Sequence, residues 1–152
     1  MSFRITGLSA QPFAHLFGLS EAELARHGAQ RHQGEGLPDR VELRDTTPGE
    51  TVLLINHEHQ PADTPYRSRH AIYVREQAGE AFDAVDTVPD ALRRRLLSLR
   101  AFDANHLMVD ADVVDGAAVE GLIDKLLAQP EVAYVHAHFA RRGCYAALIR
   151  RA

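Results

Sequence analysis

The chain has 152 residues, of which 45% are hydrophobic and 25% are charged. A chain of this length and composition is globular and has room for one real core, so we expect a single domain over residues 1–152, and disorder or a fibrous repeat is excluded. The formal net charge of −4 at pH 7 argues against general nucleic-acid binding, which needs a concentrated cationic surface for counterion release.

The N-terminal part predicts a short strand and one well-marked helix. Residues 3–5 alternate in the manner of a strand, and Ser20 and Glu23 have the spacing of a capping box. We therefore expect a helix from about Glu21 that ends at a capping glycine. Residues 28–40 contain three glycines and a proline, which predicts an exposed loop.

The middle of the chain predicts three strands. Residues 41–45 alternate, residues 51–57 are β-branched and apolar on both faces, and residues 70–75 form another β-branched and aromatic run. The connection over residues 58–69 contains two prolines and shows no periodicity. Structureless connections of this length are often functional, so we expect a functional loop here.

The C-terminal half predicts two helices and three strands. Residues 89–99 have helical leucine spacing, and residues 107–113 alternate like a half-buried strand with the apolar side inward. A helix that Asp115 caps should end at Gln129-Pro130, and strands should follow at 132–140 and 144–150. Strands with separate helices, without regular βαβ alternation, favour an α+β fold with a largely antiparallel sheet of five or six strands and three or more helices.

Several absences narrow the expected location and cofactors. The N-terminus lacks the pattern of a signal peptide, and no apolar run is long enough for a membrane span. A single cysteine excludes an internal disulfide. We therefore expect a cytoplasmic protein with no membrane partner. No nucleotide fingerprint, phosphate-binding loop, Cys-x-x-Cys pair or His-Glu-x-x-His helix is present, so no cofactor is expected.

The histidines are concentrated at two places. His57, His59 and His70 bracket the long connection, and His136 and His138 share one strand. Residues i and i+2 of a strand lie on the same face, so each His-x-His pair can present two imidazoles to one metal. Such spacing also occurs in ordinary sheets, where one histidine is half-exposed and the other bonds a backbone carbonyl. The prediction is that no metal is bound.

The long connection carries further groups suited to chemistry. Glu58 can orient His59 as an acid/base group, and His70 is the alternative orienting residue. Tyr66 and Arg67 offer an aromatic wall and a guanidinium fork for a carboxylate or phosphate. The competing interpretation is that Arg67 and Tyr66 only hold the loop in place.

The position of Cys144 depends on the register of the last hairpin. We expect a three-residue loop, 141–143, with Gly143 in the left-handed region and Ala140 opposite Cys144. This register would put Cys144 on the same face as His136 and His138, near enough for thiol–imidazole chemistry. A small core residue is the alternative reading of this cysteine.

Short motifs along the chain together resemble a known family. They are Phe3-Arg4-Ile5, residues 13–19, Asn56-His57-Glu58-His59-Gln60-Pro61, Pro65-Tyr66-Arg67, His70-Ala71-Ile72, His136-Ala137-His138 and Gly143-Cys144-Tyr145-Ala146. Over nearly its whole length the sequence resembles the bacterial domain-of-unknown-function family 1203. The resemblance implies a stand-alone domain and assigns no activity, cofactor or catalytic residue. It also implies tyrosine at position 57 and asparagine at position 138 in relatives, which leaves His59, His70 and His136 as the stronger site residues.

Two hypotheses of function follow from these residues. In the first, His59, Glu58 and His70 are catalytic, and Tyr66, Arg67, His136, His138 and Cys144 bind a small anionic molecule. In the second, the protein is a non-catalytic binding or regulatory module in which the same residues are structural. Convergence of His59, His70, Arg67 and His136 on one solvent-connected cleft would favour the first. The oligomeric state is left open.

Overall fold

The computed structural model describes residues 1–152 and contains two antiparallel sheets. The strands are β1 (Phe3–Thr6), β2 (Gln30–Gln33), β3 (Thr51–Gln60), β4 (Ser68–Arg75), β5 (Asp83–Val85), β6 (Leu96–Phe102), β7 (Met108–Asp115), β8 (Tyr134–Phe139) and β9 (Tyr145–Arg151). The α-helices are α1 (Glu21–Arg26), α2 (Asp90–Arg93) and α3 (Val119–Leu127), and short 3₁₀ helices span Gln11–Leu16 and Gly116–Ala118. No helix is long and apolar enough to cross a membrane.

The larger sheet has six strands in the order β5-β1-β9-β8-β6-β7, and the smaller sheet has the order β2-β3-β4. Every strand pair in both sheets is antiparallel. The expected α+β class with a largely antiparallel sheet is therefore confirmed.

Two hydrophobic cores hold the sheets in place. In the larger core, α3 lies on one face of the six-stranded sheet and buries Leu122, Ile123, Leu126 and Leu127, all at the helical spacing found in the sequence. The smaller core joins β3 and β4 to α1 and the first 3₁₀ helix. Because side chains alternate along a strand, the β8 residues that face α3 leave His136 and His138 on the opposite face.

Helix α1 begins and ends as predicted. The Ser20 hydroxyl accepts a hydrogen bond from the Glu23 backbone N–H at 3.1 Å, and Gly28 follows the helix with φ of +68°. These local interactions satisfy free backbone groups at both helix ends without help from the rest of the fold.

Residues 28–45 differ from the prediction. The expected loop over residues 28–40 contains β2, an edge strand that pairs with β3. Because all four of its residues are polar, it shows no apolar alternation. The expected strand over residues 41–45 is wrong: Leu43 has φ of +53°, and the Asp39 carboxylate accepts the Glu42 backbone N–H. Val41 and Leu43 alternate because this turn inserts both side chains into the protein interior.

The predicted helix over residues 89–99 is only partly correct. Helix α2 spans one turn, and β6 begins at Leu96. Leu97, Leu99 and Ala101 are fully buried on one face of β6. The leucine spacing is therefore compatible with a strand as well as with a helix. Pairing with β7 on one side and β8 on the other decides in favour of the strand.

Strand β7 is present, but its apolar side faces outward. Leu107 and Val109 are 41% exposed and Val113 is 54% exposed. The opposite side of this edge strand meets the polar flank of α3, where Gln129 donates to Asp110 and Lys125 lies 3.8 Å from Asp112. A polar helix flank therefore explains why the aspartates, and not the valines, point towards α3.

The connection that was predicted to be a functional loop is shorter than expected. Strand β3 continues to Gln60 and β4 begins at Ser68, with a bulge between His57 and Gln60. Only residues 61–67 remain as a connection. Glu58 and His59 thus lie on a strand, because backbone pairing continues past the point where the apolar pattern ends.

The predicted register of the last hairpin is wrong. His138 pairs with Tyr145, and the Phe139 backbone N–H donates to the Cys144 carbonyl at 2.9 Å. Gly143 does take the left-handed region, with φ of +79°. The longer loop keeps Phe139 in the core and directs Cys144 away from the face that carries His138.

Candidate functional site

Three histidines from the two sheets meet on the face of the larger sheet that α3 leaves free. His59 comes from β3, and His136 and His138 come from β8. The ring of His59 lies 4.9 Å from that of His138 and 6.4 Å from that of His136, centroid to centroid. The Tyr145 ring stacks on His59 at 5.7 Å. We refer to His59, His136 and His138 as the imidazole cluster.

Burial keeps the imidazole cluster neutral. It lowers the pKa of His136 and of His138 to about 3 and the pKa of His59 to about 4. Repulsion among the rings and from the Arg100 guanidinium acts in the same direction. At neutral pH each ring therefore carries one N–H donor and one nitrogen acceptor.

Two ring nitrogens in the cluster have no protein partner. The Nδ1 atoms of His59 and His136 are buried and make no hydrogen bond. His138, by contrast, donates from Nδ1 to the Gly143 carbonyl at 3.0 Å. Because a buried polar atom without a partner costs about 1–3 kcal/mol, His59 and His136 reduce stability at this site.

Two guanidinium groups beside the cluster have no carboxylate partner. Arg100 contacts the Ser98 hydroxyl at 3.3 Å, and Arg150 lies near enough to lower the pKa of His136. Neither takes part in any ion pair of the structure. With neutral imidazoles around them, these cations make the site electropositive.

A pocket of about 330 Å³ opens beside the cluster. We name it the imidazole pocket, and its polar lining consists of His59, Gln60, His106, Tyr134, His136 and Arg150. Within it, Gln60 Nε2 donates to the Tyr134 hydroxyl at 2.9 Å, and His106 Nδ1 lies 2.8 Å from the same oxygen. Burial raises the pKa of Tyr134, so the hydroxyl remains a hydrogen-bond donor and acceptor at neutral pH.

The structure brings together only some of the residues singled out in the sequence. His59 and His136 line the imidazole pocket, and His138 lies behind them. Arg67 is 56% exposed and pairs with Glu58 at 3.1 Å, so Glu58 does not orient His59. His70 is exposed and its Nδ1 donates to the Ala71 carbonyl.

Tyr66 and Cys144 also lie apart from the imidazole pocket. The Tyr66 ring packs edge-on against Phe102 at 6.2 Å. Cys144 is buried, and its sulfur accepts a hydrogen bond from Arg40 at 2.9 Å. The hairpin register separates this thiol from His138, so chemistry between the two side chains is excluded.

Residues of the site that were missed in the sequence are Gln60, Arg100, His106, Tyr134, Tyr145 and Arg150. Tyr134 shares the strand face of His136 and His138, and the Tyr-x-His-x-His spacing over residues 134–138 could have revealed it. Arg100 directly follows the segment 89–99 that was predicted as a helix, and the structure places it on β6. Arg150 and Tyr145 depend on the β8–β9 register, which the local sequence does not determine.

No group of three or more His, Cys, Asp or Glu side chains is arranged to hold a metal ion. Stability rests instead on two hydrophobic clusters of 20 and 10 buried residues. We expect thermal melts with and without a strong chelator to coincide. A large fall in Tm on chelation that zinc restores would contradict this prediction.

Comparison with known proteins gives one match. The chain has no significant match among curated proteins or among solved structures. The family model described as protein of unknown function (DUF1203) matches residues 36–151. The match covers both strands of the imidazole cluster and most of the chain, and the chain therefore belongs to the DUF1203 family.

Proposed function

We propose that this protein binds a small anionic molecule in the imidazole pocket. The observation that carries the proposal is a guanidinium without an ion-pair partner, Arg150, in a solvent-open pocket that His59, His136 and Tyr134 also line. A guanidinium fork suits a carboxylate or phosphate group. The neutral imidazoles and the Tyr134 hydroxyl supply further donors.

The pocket's size and charge limit the ligand. About 330 Å³ lies near the lower end of small-molecule sites, which favours a metabolite-sized anion. An anion held beside the imidazole cluster would favour the imidazolium form of His59 or His136, so binding would take up protons. Affinity for a fully ionised ligand should accordingly rise as the pH falls.

The geometry favours binding over catalysis. A general base needs a second group that orients it, and Glu58 pairs with Arg67 instead of with His59. His70 bonds the Ala71 carbonyl. The proposed function is therefore a non-catalytic binding module with His59, His136, Tyr134 and Arg150 as its ligand contacts.

The test is calorimetric titration with sulfate and with malonate at low ionic strength. We expect Arg150→Ser to weaken binding at least about tenfold, the effect of losing one charge-assisted hydrogen bond. Arg26→Ser, which removes an equal charge from the exposed end of α1, should leave affinity unchanged. Equal affinity in the two variants, or no saturable binding of either anion to the wild type, would overturn the proposal.

A further inference from the structure

A second cavity, of about 510 Å³, lies at the other end of β8. It shares no lining residue with the imidazole pocket. Five arginines line it, namely Arg40, Arg94, Arg95, Arg141 and Arg142, and we name it the arginine cavity. In a chain whose formal net charge is −4, such a concentration of positive charge is a local feature that needs an explanation.

Carboxylates neutralise only part of this charge. Arg94 pairs with Asp90 at 2.8 Å, and Arg95 pairs with Asp45 at the same distance. Arg40, Arg141 and Arg142 take part in no ion pair.

The carboxylate in the cavity lining is Asp115. It accepts the Ala117 backbone N–H as a helix cap. Asp115 makes no ion pair with an arginine of the cavity, and three guanidinium groups around the cavity have no carboxylate within ion-pair distance.

Arg40 is the most unusual of the three. Its side chain is 1% exposed, and it donates to the carbonyls of Pro38 and Tyr145 and to Cys144 Sγ. Burial lowers the pKa of Arg40 to about 10, which still leaves it charged at neutral pH. Buried charges in proteins are normally paired, and these three acceptors do not use all of the donors of a guanidinium.

The cavity wall is partly apolar. The Phe139 ring contacts two guanidinium groups, with Arg40 at 4.8 Å and Arg95 at 5.0 Å from its centroid. Leu37 and Leu96 contribute aliphatic surface. A site lined by both cations and apolar surface suits a ligand with a multiply charged head and an apolar body.

We propose that the arginine cavity binds a phosphorylated small molecule, with its phosphate at Arg40, Arg141 and Arg142 and its apolar part against Leu37 and Leu96. A phosphate group matches several guanidinium forks and carries enough charge to complement them. This site is independent of the one proposed above, because the two pockets have no residue in common.

Cys144 provides a reporter inside the cavity, since it lines the wall and is the only cysteine in the chain. Iodoacetate and iodoacetamide both alkylate a thiolate, forming an S–C bond and releasing iodide, but only iodoacetate is an anion. We expect Cys144 to favour iodoacetate over iodoacetamide at least about threefold more than N-acetylcysteine does at low salt. Pyrophosphate should slow both reactions by occupying the cavity.

Two charge-reversal variants, one in the lining of the arginine cavity and one on α1, test whether the cavity's charge causes this preference. Arg142→Glu should lower the iodoacetate preference about tenfold, and Arg26→Glu, the same charge change on α1, should leave it unchanged. Because both side chains are exposed, neither variant is expected to unfold the protein. A wild-type preference equal to that of N-acetylcysteine, or one that Arg142→Glu does not alter, would overturn the proposal.

A thermal shift decides the matter if Cys144 reacts with neither reagent. Pyrophosphate should raise the Tm of the wild type and of Arg26→Glu by several degrees, and this rise should be lost in Arg142→Glu. No rise in the wild type would reject the proposal. A rise that persists in Arg142→Glu but disappears in Arg150→Ser would assign the anion to the imidazole pocket and would equally reject this second site.

Discussion

Lowering the pH from about 7 to about 5 will destabilise this protein by at least about 4 kcal/mol, on the order of 2 kcal/mol for each of His136 and His138. Both side chains are buried, at 7% and 1% exposure, and burial lowers the pKa of each to about 3. The unfolded chain, with histidine pKa values near 6.5, therefore binds protons before the folded protein does. Stability is fully present above pH 6.5 and is lost as the pH falls towards 3.

The interval from pH 7 to pH 5 covers the titration of histidines in the unfolded chain and lies above the range in which the ion-paired carboxylates titrate. Ion pairing with Arg31 lowers the pKa of Glu76 to about 2, and its contribution is lost only below the ordinary glutamate pKa of about 4.3. Arg100 on β6 and Arg150 on β9, which also lower the pKa of His136, stay charged throughout, and His57 on β3 and His70 on β4 act on His59. Urea unfolding at intervals from pH 7 to pH 5 measures the effect.

A variant tests the assignment to the cluster. His138→Asn removes a titrating group while keeping a donor for the Gly143 carbonyl, so its unfolding free energy should fall less steeply with pH, by about one proton. His32→Asn, on the exposed edge strand β2, should leave the slope unchanged. Parallel pH profiles for His138→Asn and the wild type would show that the imidazole cluster does not control acid stability.

Gly116→Ala will destabilise the protein by at least about 3 kcal/mol, lowering Tm by on the order of 6–12 °C. A Cβ at this position would overlap the Leu92 carbonyl oxygen and lie 2.8 Å from the carbonyl oxygens of Arg93 and Arg95. All three atoms are backbone, so no side-chain rotation relieves the overlap. The Gly116 N–H also donates to the Arg95 carbonyl at 2.8 Å, which holds the two segments together.

Gly121→Ala provides the matched control for Gly116→Ala. Gly121 lies on the exposed side of α3, with nothing within 4 Å of an added Cβ. Alanine there should stabilise the protein by up to about 1 kcal/mol, because glycine is a poor helix former. Both melts can be followed by circular dichroism. Similar Tm values for the two variants would mean that the close approach at Gly116 tolerates a methyl group.

Elements that local contacts determine could be predicted from the sequence. Elements that depend on contacts between distant parts of the chain could not. The prediction of α1 was correct because Ser20, Glu23 and Gly28 cap the free backbone groups at its two ends within a few residues. The apolar stripe of α3 was predicted correctly because it fits a helical period only, although Asp115 caps the 3₁₀ helix that precedes α3. By contrast, the leucines of residues 92–99 fit both a helix and a strand, and pairing with β7 and β8 decides between them.

The same distinction between local and long-range contacts applies to the residues of the site. The His-x-His and Tyr-x-His spacings alone place imidazoles and a hydroxyl on one face of a strand, because side chains alternate. That His59 meets His136 and His138 follows from the packing of one sheet on the other, whereas Arg67 reaches Glu58 within the β3–β4 hairpin. The register places Tyr145, and not Cys144, beside the imidazoles and buries Phe139, whose ring contacts Arg40 and Arg95. Local spacing therefore determined which side chains share a face, and only long-range packing decided which faces meet.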